Sequence, residues 1–146
     1  LAEHEFQRAH RYKRHMSMIM LDIDYFKKVN DTYSHAIGDQ VLRAVATRCR
    51  DTLRTIDFMG RFGGEEFILL LPENDMSGAR IAAERLRQSV ANNPVDTDKG
   101  PIAVTISLGV AQRDENTPNL ETLIARADQA MYVAKHKGRN CVAINL

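Results

Sequence analysis

The sequence lacks the features that mark secreted, membrane-embedded and strongly charged proteins. Its two cysteines, Cys49 and Cys141, form no CxxC pattern, which indicates reduced thiols in a cytoplasmic setting. The longest apolar run, around Met18 to Leu21, is far too short to span a bilayer, and no signal peptide is visible. The net charge of +1 gives no global field that would attract nucleic acid or a membrane surface. Any anionic ligand must therefore be held by a few locally placed cations or metal ions.

Length and composition predict one compact domain with its own core. The 146 residues are 44% hydrophobic and 27% charged, and they show no internal repeat, low-complexity tract or interdomain linker. The sequence does not begin with Met. We therefore expect residues 1–146 to be a single domain cut from a longer protein, with a helix over 1–15.

Hydrophobic periodicity predicts alternating strands and helices. Helices are expected over 1–15, 25–33 (breaking at 30–31), 39–52, 77–90 and 120–136. Strands are expected over 16–23, 57–62, 67–71, 102–111 and 141–146. The segments 92–101 and 112–119 are expected to be loops. In the helix 77–90, Ile81, Leu86 and Val90 are expected to face inward. The order predicts an α+β fold of the split βαβ, ferredoxin-like kind. Helices should cover one face of a mainly antiparallel sheet in which the strand 16–23 is central.

Two clusters of acids fall at predicted strand ends. Asp22 and Asp24 end the apolar strand 16–23 and alternate onto one face, although strands often end in polar residues for no functional reason. Gly63-Gly64-Glu65-Glu66 separates two short strands, where glycines permit a tight turn and leave room for a ligand. If this hairpin lies beside the central strand, three carboxylates converge. They would then need cations between them, and hard oxygen ligands suit magnesium.

A phosphate site also needs cations, and a nucleobase needs hydrogen-bonding partners. Lys27 follows the acidic strand, and Lys135 and Arg139 lie at the end of the last helix, where cations also simply offset the helix dipole. Asn30 and Asp39 have the donors and acceptors to read a guanine edge. A turn residue and a helix N-cap are the alternative interpretations of these two.

Together these segments resemble the GGDEF family of bacterial diguanylate cyclases. The matching segments are DIDYFK at 22–27, NDTYSHAIGD at 30–39, RF at 61–62, the GGEEF variant of the signature loop at 63–67, and AKHKGRN at 134–140. Each is weak alone, but their order and spacing over residues 16–146 are specific. The resemblance implies a palm-like antiparallel sheet of the nucleotide-cyclase type.

The resemblance also implies a set of site residues. Magnesium, two ions per half-site with Mn²⁺ as a substitute, is expected on Asp22, the carbonyl of Ile23 and Glu65, with Glu66 assisting. Glu65 is the implied base and Lys27 the implied stabiliser of phosphate charge. Substrate contacts are expected from a set that includes the loop glycines: Asn30, His35, Asp39, Gly63, Gly64, Lys135 and Arg139.

The family activity condenses two GTP into cyclic di-GMP with release of two pyrophosphates. Each domain supplies half of a site, so a homodimer is implied, together with an upstream sensory or dimerising domain. An Arg-x-x-Asp at Arg54 and Asp57, with Arg85 beyond it, matches an inhibitory site for the product, although such spacing also makes ordinary ion pairs. The resemblance implies a cytoplasmic domain, which is compatible with a membrane anchor elsewhere in a full-length protein.

One position departs from the family pattern, and other functions stay open. Ser34 stands where the family usually has glycine, before His35, which puts the local backbone conformation in doubt. The chief alternative is a catalytically silent domain that binds GTP or cyclic di-GMP as a receptor. A different palm-type cyclase or polymerase and a plain structural domain are the others.

Overall fold

A computed structural model of the protein describes residues 1–145. The strands are β1 (Met16–Ile23), β2 (Phe58–Arg61), β3 (Glu66–Pro72), β4 (Val95–Thr97), β5 (Gly100–Ile102), β6 (Ile106–Gln112) and β7 (Val142–Ile144). Five of them form one sheet in the order β2-β3-β1-β6-β7, so β1 is central as predicted. All its pairings are antiparallel except that of β6 with β7. The predicted α+β, ferredoxin-like core is confirmed, with β7 added at one edge.

Helices cover both faces of this sheet, which corrects the expectation of one covered face. They are α1 (Ala2–Tyr12), α2 (Phe26–Thr32), α3 (His35–Thr52), α4 (Met76–Ala91) and α5 (Leu120–His136). One core lies between the sheet and α2, α3 and α4, and a second lies between the sheet and α1 and α5. A sheet covered on both faces needs a central strand that is apolar along most of its length, and all eight residues of β1 are buried.

The alternation of side chains along β1 places the acid at its end. Ile19 and Leu21 enter the core beneath α3 and α4, whereas Met18 and Met20 enter the core beneath α5. Asp22 continues the second series. Its carboxylate therefore lies on the α5 side of the sheet, near the helix end that carries the basic residues.

Several predicted boundaries change for identifiable reasons. Helix α3 begins at His35 rather than at Asp39, because the Ser34 hydroxyl caps it by accepting a hydrogen bond from the Ile37 N–H at 3.2 Å. The N-cap interpretation of Asp39 is therefore wrong. In α4 the prediction for Ile81 is also wrong: this side chain is 58% exposed, and small residues of the helix pack inward in its place.

The structure differs from the prediction over both the loop 92–101 and the strand 102–111. The polar segment forms the hairpin β4–β5, in which Gly100 turns the chain with φ of 88°. Sheet pairing resumes only at Ile106. Of the other predictions, α5 has the expected bounds, and α2 continues through the expected break at 30–31 to Thr32.

Both cysteines are free, as expected. Cys49 is buried in the core beneath α3, and burial raises the pKa of its thiol to about 12. No helix within residues 1–145 combines the length and apolar character needed to cross a bilayer.

Candidate active site

The centre of the candidate site is the end of β1, where Asp22 lies opposite Glu66 of β3. Directly opposed residues of antiparallel strands point to the same face, so these two carboxyl groups are neighbours. Asp22 is 5% exposed, and its Oδ2 accepts a hydrogen bond from the Lys135 ammonium group of α5. Its Oδ1 is buried with no hydrogen-bond partner among the described residues. A buried carboxylate oxygen without a partner is costly, and a cation would satisfy it.

The charge state of Asp22 reflects this environment. Burial, with a smaller effect of the negative charges of Glu65 and Glu66, raises the pKa of Asp22 to about 6 against the opposing effect of Lys135. The folded protein thus holds an acid that ionises reluctantly. A bound cation would favour its ionised form.

The glycine-rich loop is fastened to the end of β1 through its backbone. The Ile23 N–H donates to the Glu65 carbonyl at 3.3 Å, and Arg61 Nη2 donates to the Gly64 carbonyl at 2.6 Å. Neither Gly63 nor Gly64 has a left-handed φ, so the turn itself does not require them. A Cβ on Gly63 would lie 3.2 Å from Glu66 Oε2, whereas a Cβ on Gly64 would meet open space.

The three carboxylates of the loop and β1 do not form a ready-made cluster. Within residues 1–145, no three His, Cys, Asp or Glu side chains come close enough together to hold a metal ion alone. Ionised carboxylates without a cation between them repel, which accounts for the difference from the prediction. A metal here would draw on these acids together with backbone carbonyls and ligand oxygens, which is the mixed oxygen shell that magnesium accepts.

The cations predicted to bind phosphate lie on the elements that meet at the end of β1. Lys27 is an exposed residue near the start of α2. Lys135 pairs with Asp22, so it is more than a complement to the dipole of α5. The Arg139 guanidinium stacks over the Tyr25 ring, with 4.7 Å between its Cζ and the ring centroid. The fold thus brings α2 and the end of α5 to the same end of β1.

The residues predicted to bind guanine lie on α2 and α3. Asn30 Oδ1 is buried without a partner in the described part of the chain, and a Cβ on Gly38 would lie only 1.7 Å from it. Gly38 thus provides the space in which the Asn30 amide sits. His35 and Asp39 are exposed on the following turns of α3.

Asp39 opens onto a groove of about 570 Å³ between α3 and the β2–β3 hairpin. Arg43, Arg50 and Arg61 also line this groove, and the sequence analysis assigned none of them to a site. Asp39, Arg43 and Arg50 are separated by four and seven residues, so helical spacing was the signal that could have grouped them. The groove is large enough for a nucleobase beside the loop.

Two of the residues predicted to bind the product, Arg54 and Asp57, form an ion pair. Arg54 Nη2 donates to Asp57 Oδ1 at 2.7 Å and to the Pro72 carbonyl at 2.8 Å. The Asp57 side chain is 4% exposed and that of Arg54 is 46% exposed. Arg85 of α4 lines the same cavity, of about 210 Å³. The structure thus brings the three residues to one place, on the side of the sheet covered by α4.

Comparison with known proteins gives consistent matches along the chain. The family model described as "Diguanylate cyclase, GGDEF domain" matches residues 1–141, and so includes α1. Diguanylate cyclase A of Treponema denticola is 42% identical over 133 residues, covering 91% of this chain and 36% of the relative. The response regulator PleD of Caulobacter vibrioides is 43% identical over 129 residues, covering 87% of this chain and 28% of the relative. The chain therefore spans about a third of these relatives.

Solved structures agree with the fold. The active GGEEF domain of a diguanylate cyclase from Vibrio cholerae superposes with a TM-score of 0.93 at 34% identity, covering 99% of this chain and 92% of that one. The GGDEF domain of DgcB from Caulobacter crescentus, solved with c-di-GMP, gives a TM-score of 0.93 at 31% identity, covering 99% and 85%.

Proposed function

Since the chain belongs to the GGDEF family of diguanylate cyclases, we propose that it condenses two GTP molecules into cyclic di-GMP and two pyrophosphates. The observation that carries this proposal is the pairing of Asp22 with Glu66 beside the GGEEF loop, with one Asp22 oxygen buried and without a partner within residues 1–145. Such an oxygen suits a metal-dependent phosphoryl transfer, in which catalysis consists mostly of positioning and charge stabilisation.

Magnesium, two ions per half-site, is the proposed cofactor, and Mn²⁺ is its substitute. Asp22, Glu65, Glu66 and the Ile23 carbonyl would hold it. The register of β1 and β3 supports Glu66 as the carboxylate that shares an ion with Asp22. The bound cation would supply positive charge to the triphosphate and to the attacking oxygen.

The proposed step forms one bond as another breaks. The ribose 3′ oxygen of one GTP attacks the α-phosphorus of the other, and the bond from that phosphorus to the oxygen of pyrophosphate breaks. Glu65 accepts the proton of the 3′ hydroxyl and later releases it to solvent. Two such steps, one in each direction, close the ring and release two pyrophosphates.

The basic residues around β1 would hold the triphosphate. Lys27, on α2, would stabilise charge on the phosphates, and Lys135, on α5, and Arg139, in the turn after α5, would bind the terminal ones. Lys135 pairs with Asp22, so a cation that takes up the Asp22 carboxylate frees its ammonium group for phosphate.

Guanine selection is assigned to Asn30 and Asp39, with His35 and the loop glycines in contact with substrate. Asn30 Oδ1 has no hydrogen-bond partner among residues 1–145, so a guanine donor would satisfy it, and Asp39 opens onto the groove of nucleobase size. Each chain would bind one GTP, so catalysis requires a homodimer in which the two half-sites face each other. Tethering by further domains would raise the local concentration of the partner.

Turnover of GTP across a range of protein concentrations tests this function. With Mg²⁺ we expect cyclic di-GMP, identified by mass spectrometry, at a rate that rises faster than linearly with protein concentration. EDTA should remove the activity, and Glu65→Ala should lower it by about a hundredfold or more, because the base is lost. Glu115→Ala removes an exposed acid remote from the loop and should retain full activity.

The competing function is a silent receptor, and the same assay separates the two. A protein that binds GTP or cyclic di-GMP but yields no product at any concentration would be a receptor and not a cyclase. A different condensation product would instead indicate another palm-type enzyme.

We also propose that Arg54, Asp57 and Arg85 bind the product as an inhibitor. Arg54 presents a guanidinium fork that matches the acceptor edge of guanine, and Asp57 can accept from the donors of the base. Their shared cavity with Arg85 supports one ligand contacted by all three. Such binding would require Asp57 to exchange part of its pairing with Arg54 for the ligand.

Replacement of Arg54 by alanine is expected to weaken product inhibition by about tenfold or more, since a charge-assisted contact to the base is lost. The measurement is initial rate against added cyclic di-GMP. Arg126→Ala, which breaks another surface Arg–Asp pair at Asp114, is the matched control and should leave inhibition unchanged. An Arg54→Ala protein inhibited as strongly as the wild type would mean that the pair is an ordinary ion pair.

A further inference from the structure

Asp24, two residues beyond the candidate metal ligand, is a buried carboxylate that the proposed chemistry does not use. It is 5% exposed and accepts three hydrogen bonds. Its Oδ1 accepts from Ser107 Oγ at 2.6 Å, and its Oδ2 accepts from Thr105 Oγ1 at 2.6 Å and from the Asn140 backbone N–H at 3.0 Å. No cation pairs with it in the described part of the chain. The bond from Asn140 connects the residue after β1 to the turn that follows α5.

That turn has a conformation that needs external support. After Gly138, with φ of 114°, Arg139 and Asn140 both have left-handed backbones, with φ of 64° and 46°. Asparagine visits this region readily, but arginine does so at a cost. Strained residues of this kind persist where the surroundings hold them and are concentrated at functional sites. The bond from the Asn140 N–H to Asp24 is one of the contacts that hold this conformation.

The residue after Asp24 holds the neighbouring side chain. Tyr25 also has a left-handed backbone, with φ of 56°, and its ring carries the Arg139 guanidinium at 4.7 Å. A cation over an aromatic face is restrained in position while its outer N–H groups stay available. The pair Asp24-Tyr25 therefore contacts the pair Arg139-Asn140 twice, once through the backbone and once through a side chain.

We propose that Asp24 is a positioning residue for the triphosphate: by holding the Asn140 N–H, it fixes the left-handed turn that presents Arg139 to the terminal phosphates. This inference rests on the proposed function for the assignment of Arg139 to phosphate. The carboxylate touches neither substrate nor metal in this role. Its effect should therefore depend on the phosphates of the ligand and leave recognition of the base unchanged.

The test compares GTP with guanosine, which has the base and ribose but no phosphate. Dissociation constants for both are measured by NMR titration for the wild type and for Asp24→Asn. We expect GTP binding to weaken by about tenfold or more, because the substitution removes the charge and replaces one of the two accepting oxygens by an N–H donor, and guanosine binding to stay unchanged. In an Arg139→Ala background, Asp24→Asn should have no further effect on GTP binding, since the group that it positions is absent.

A pair of substitutions at residue 140 tests the backbone hydrogen bond and the left-handed turn together and leaves the buried carboxylate in place. Both variants lose the Asn140 amide oxygen that accepts from Arg87 Nη1 at 2.9 Å, so comparing them cancels that loss. Asn140→Gly keeps the N–H and tolerates positive φ, so GTP binding should stay within about twofold of the wild type. Asn140→Pro removes the N–H and fixes φ near −65°, so it should reproduce the GTP-selective loss. This pair decides the question even if Asp24→Asn fails to fold.

Three outcomes would overturn the inference. Binding of GTP and of guanosine could weaken equally. GTP could bind with normal affinity to a folded Asp24→Asn or Asn140→Pro protein. Asp24→Asn could also weaken GTP binding as much in the Arg139→Ala background as in the wild type. Failure of the proposed function would look different, since the wild type itself would then bind no GTP, or would bind it without forming cyclic di-GMP.

Discussion

Replacement of Asp22 by asparagine is expected to lower cyclic di-GMP synthesis by about a thousandfold or more while making the metal-free protein more stable at neutral pH. The loss follows because an amide cannot replace the charge of a carboxylate that shares a cation with Glu66. The gain follows because burial and the charges of Glu65 and Glu66 disfavour the ionised Asp22. The Asn oxygen can still accept a hydrogen bond from Lys135.

The pH dependence of stability gives the second part of this prediction. The pKa of Asp22 is about 6 in the folded protein against an ordinary value of 3.8, so the folded state binds this proton more tightly than the unfolded state does. The contribution of Asp22 to the free energy of unfolding is therefore most favourable below pH 3.8, declines as the pH rises to about 6, and stays low above it. Thermal unfolding measured in EDTA at several pH values should show this decline in the stability of the wild type. The part of the decline that is due to Asp22 should be absent in Asp22→Asn.

Metal binding should have the opposite pH dependence. A cation requires the ionised carboxylate, so the apparent affinity for Mg²⁺ should fall as the pH drops below about 6. Isothermal titration between pH 5 and pH 8 measures it. An Asp22→Asn protein that keeps its turnover, or that is less stable than the wild type at neutral pH, would contradict this account of the site.

The sequence was most informative where local signals coincide with the fold. The apolar run 16–23 predicted the central strand, and the structure pairs the glycine-rich hairpin with it, which meets the condition for Asp22 to lie beside the GGEEF loop. Helix α5 was predicted with its observed bounds, since it lies between the Asn119 cap and the turn at Gly138. Local caps and turns determine such ends.

The contacts that complete the site are long-range and have no local signal. Lys135 and Asp22 are 113 residues apart in sequence, and Asn140 and Asp24 are 116 apart. The basic residues of α5 could be read as dipole complements because their partner is set by tertiary packing alone. The start of α3 at His35 was missed because its cap, Ser34, lies in a polar segment.

The prediction of one covered face failed because the amphipathic pattern of a helix does not say which side of a sheet it covers. The nearly continuous apolar run of β1 was the sequence signal for two covered faces, since a strand exposed on one face would alternate apolar and polar residues. Helix α5 packs on the second face, and that packing brings Lys135 to Asp22.

Alanine at Gly109 should therefore have a large effect on the whole fold. A Cβ there would lie 2.1 Å from the Met131 backbone N and 2.3 Å from the Ala127 carbonyl oxygen, both in α5. These are backbone atoms, so no side-chain rotation relieves the clash, and the helix must move away from β6. We expect the free energy of unfolding to fall by about 3 kcal/mol or more, measured by urea denaturation.

A matched glycine separates this clash from the general effect of adding a methyl group to a strand. A Cβ on Gly60, in β2, would lie 3.4 Å from Ile68 Cγ2, and the side chain of Ile68 can adjust. Gly60→Ala should therefore change stability by less than about 1 kcal/mol. Lys135 lies one helical turn beyond Met131, so any folded Gly109→Ala protein should also lose turnover, because its ammonium group is displaced from Asp22. Equal stabilities of the two variants would mean that α5 is not held against β6 at Gly109 as closely as the structure shows.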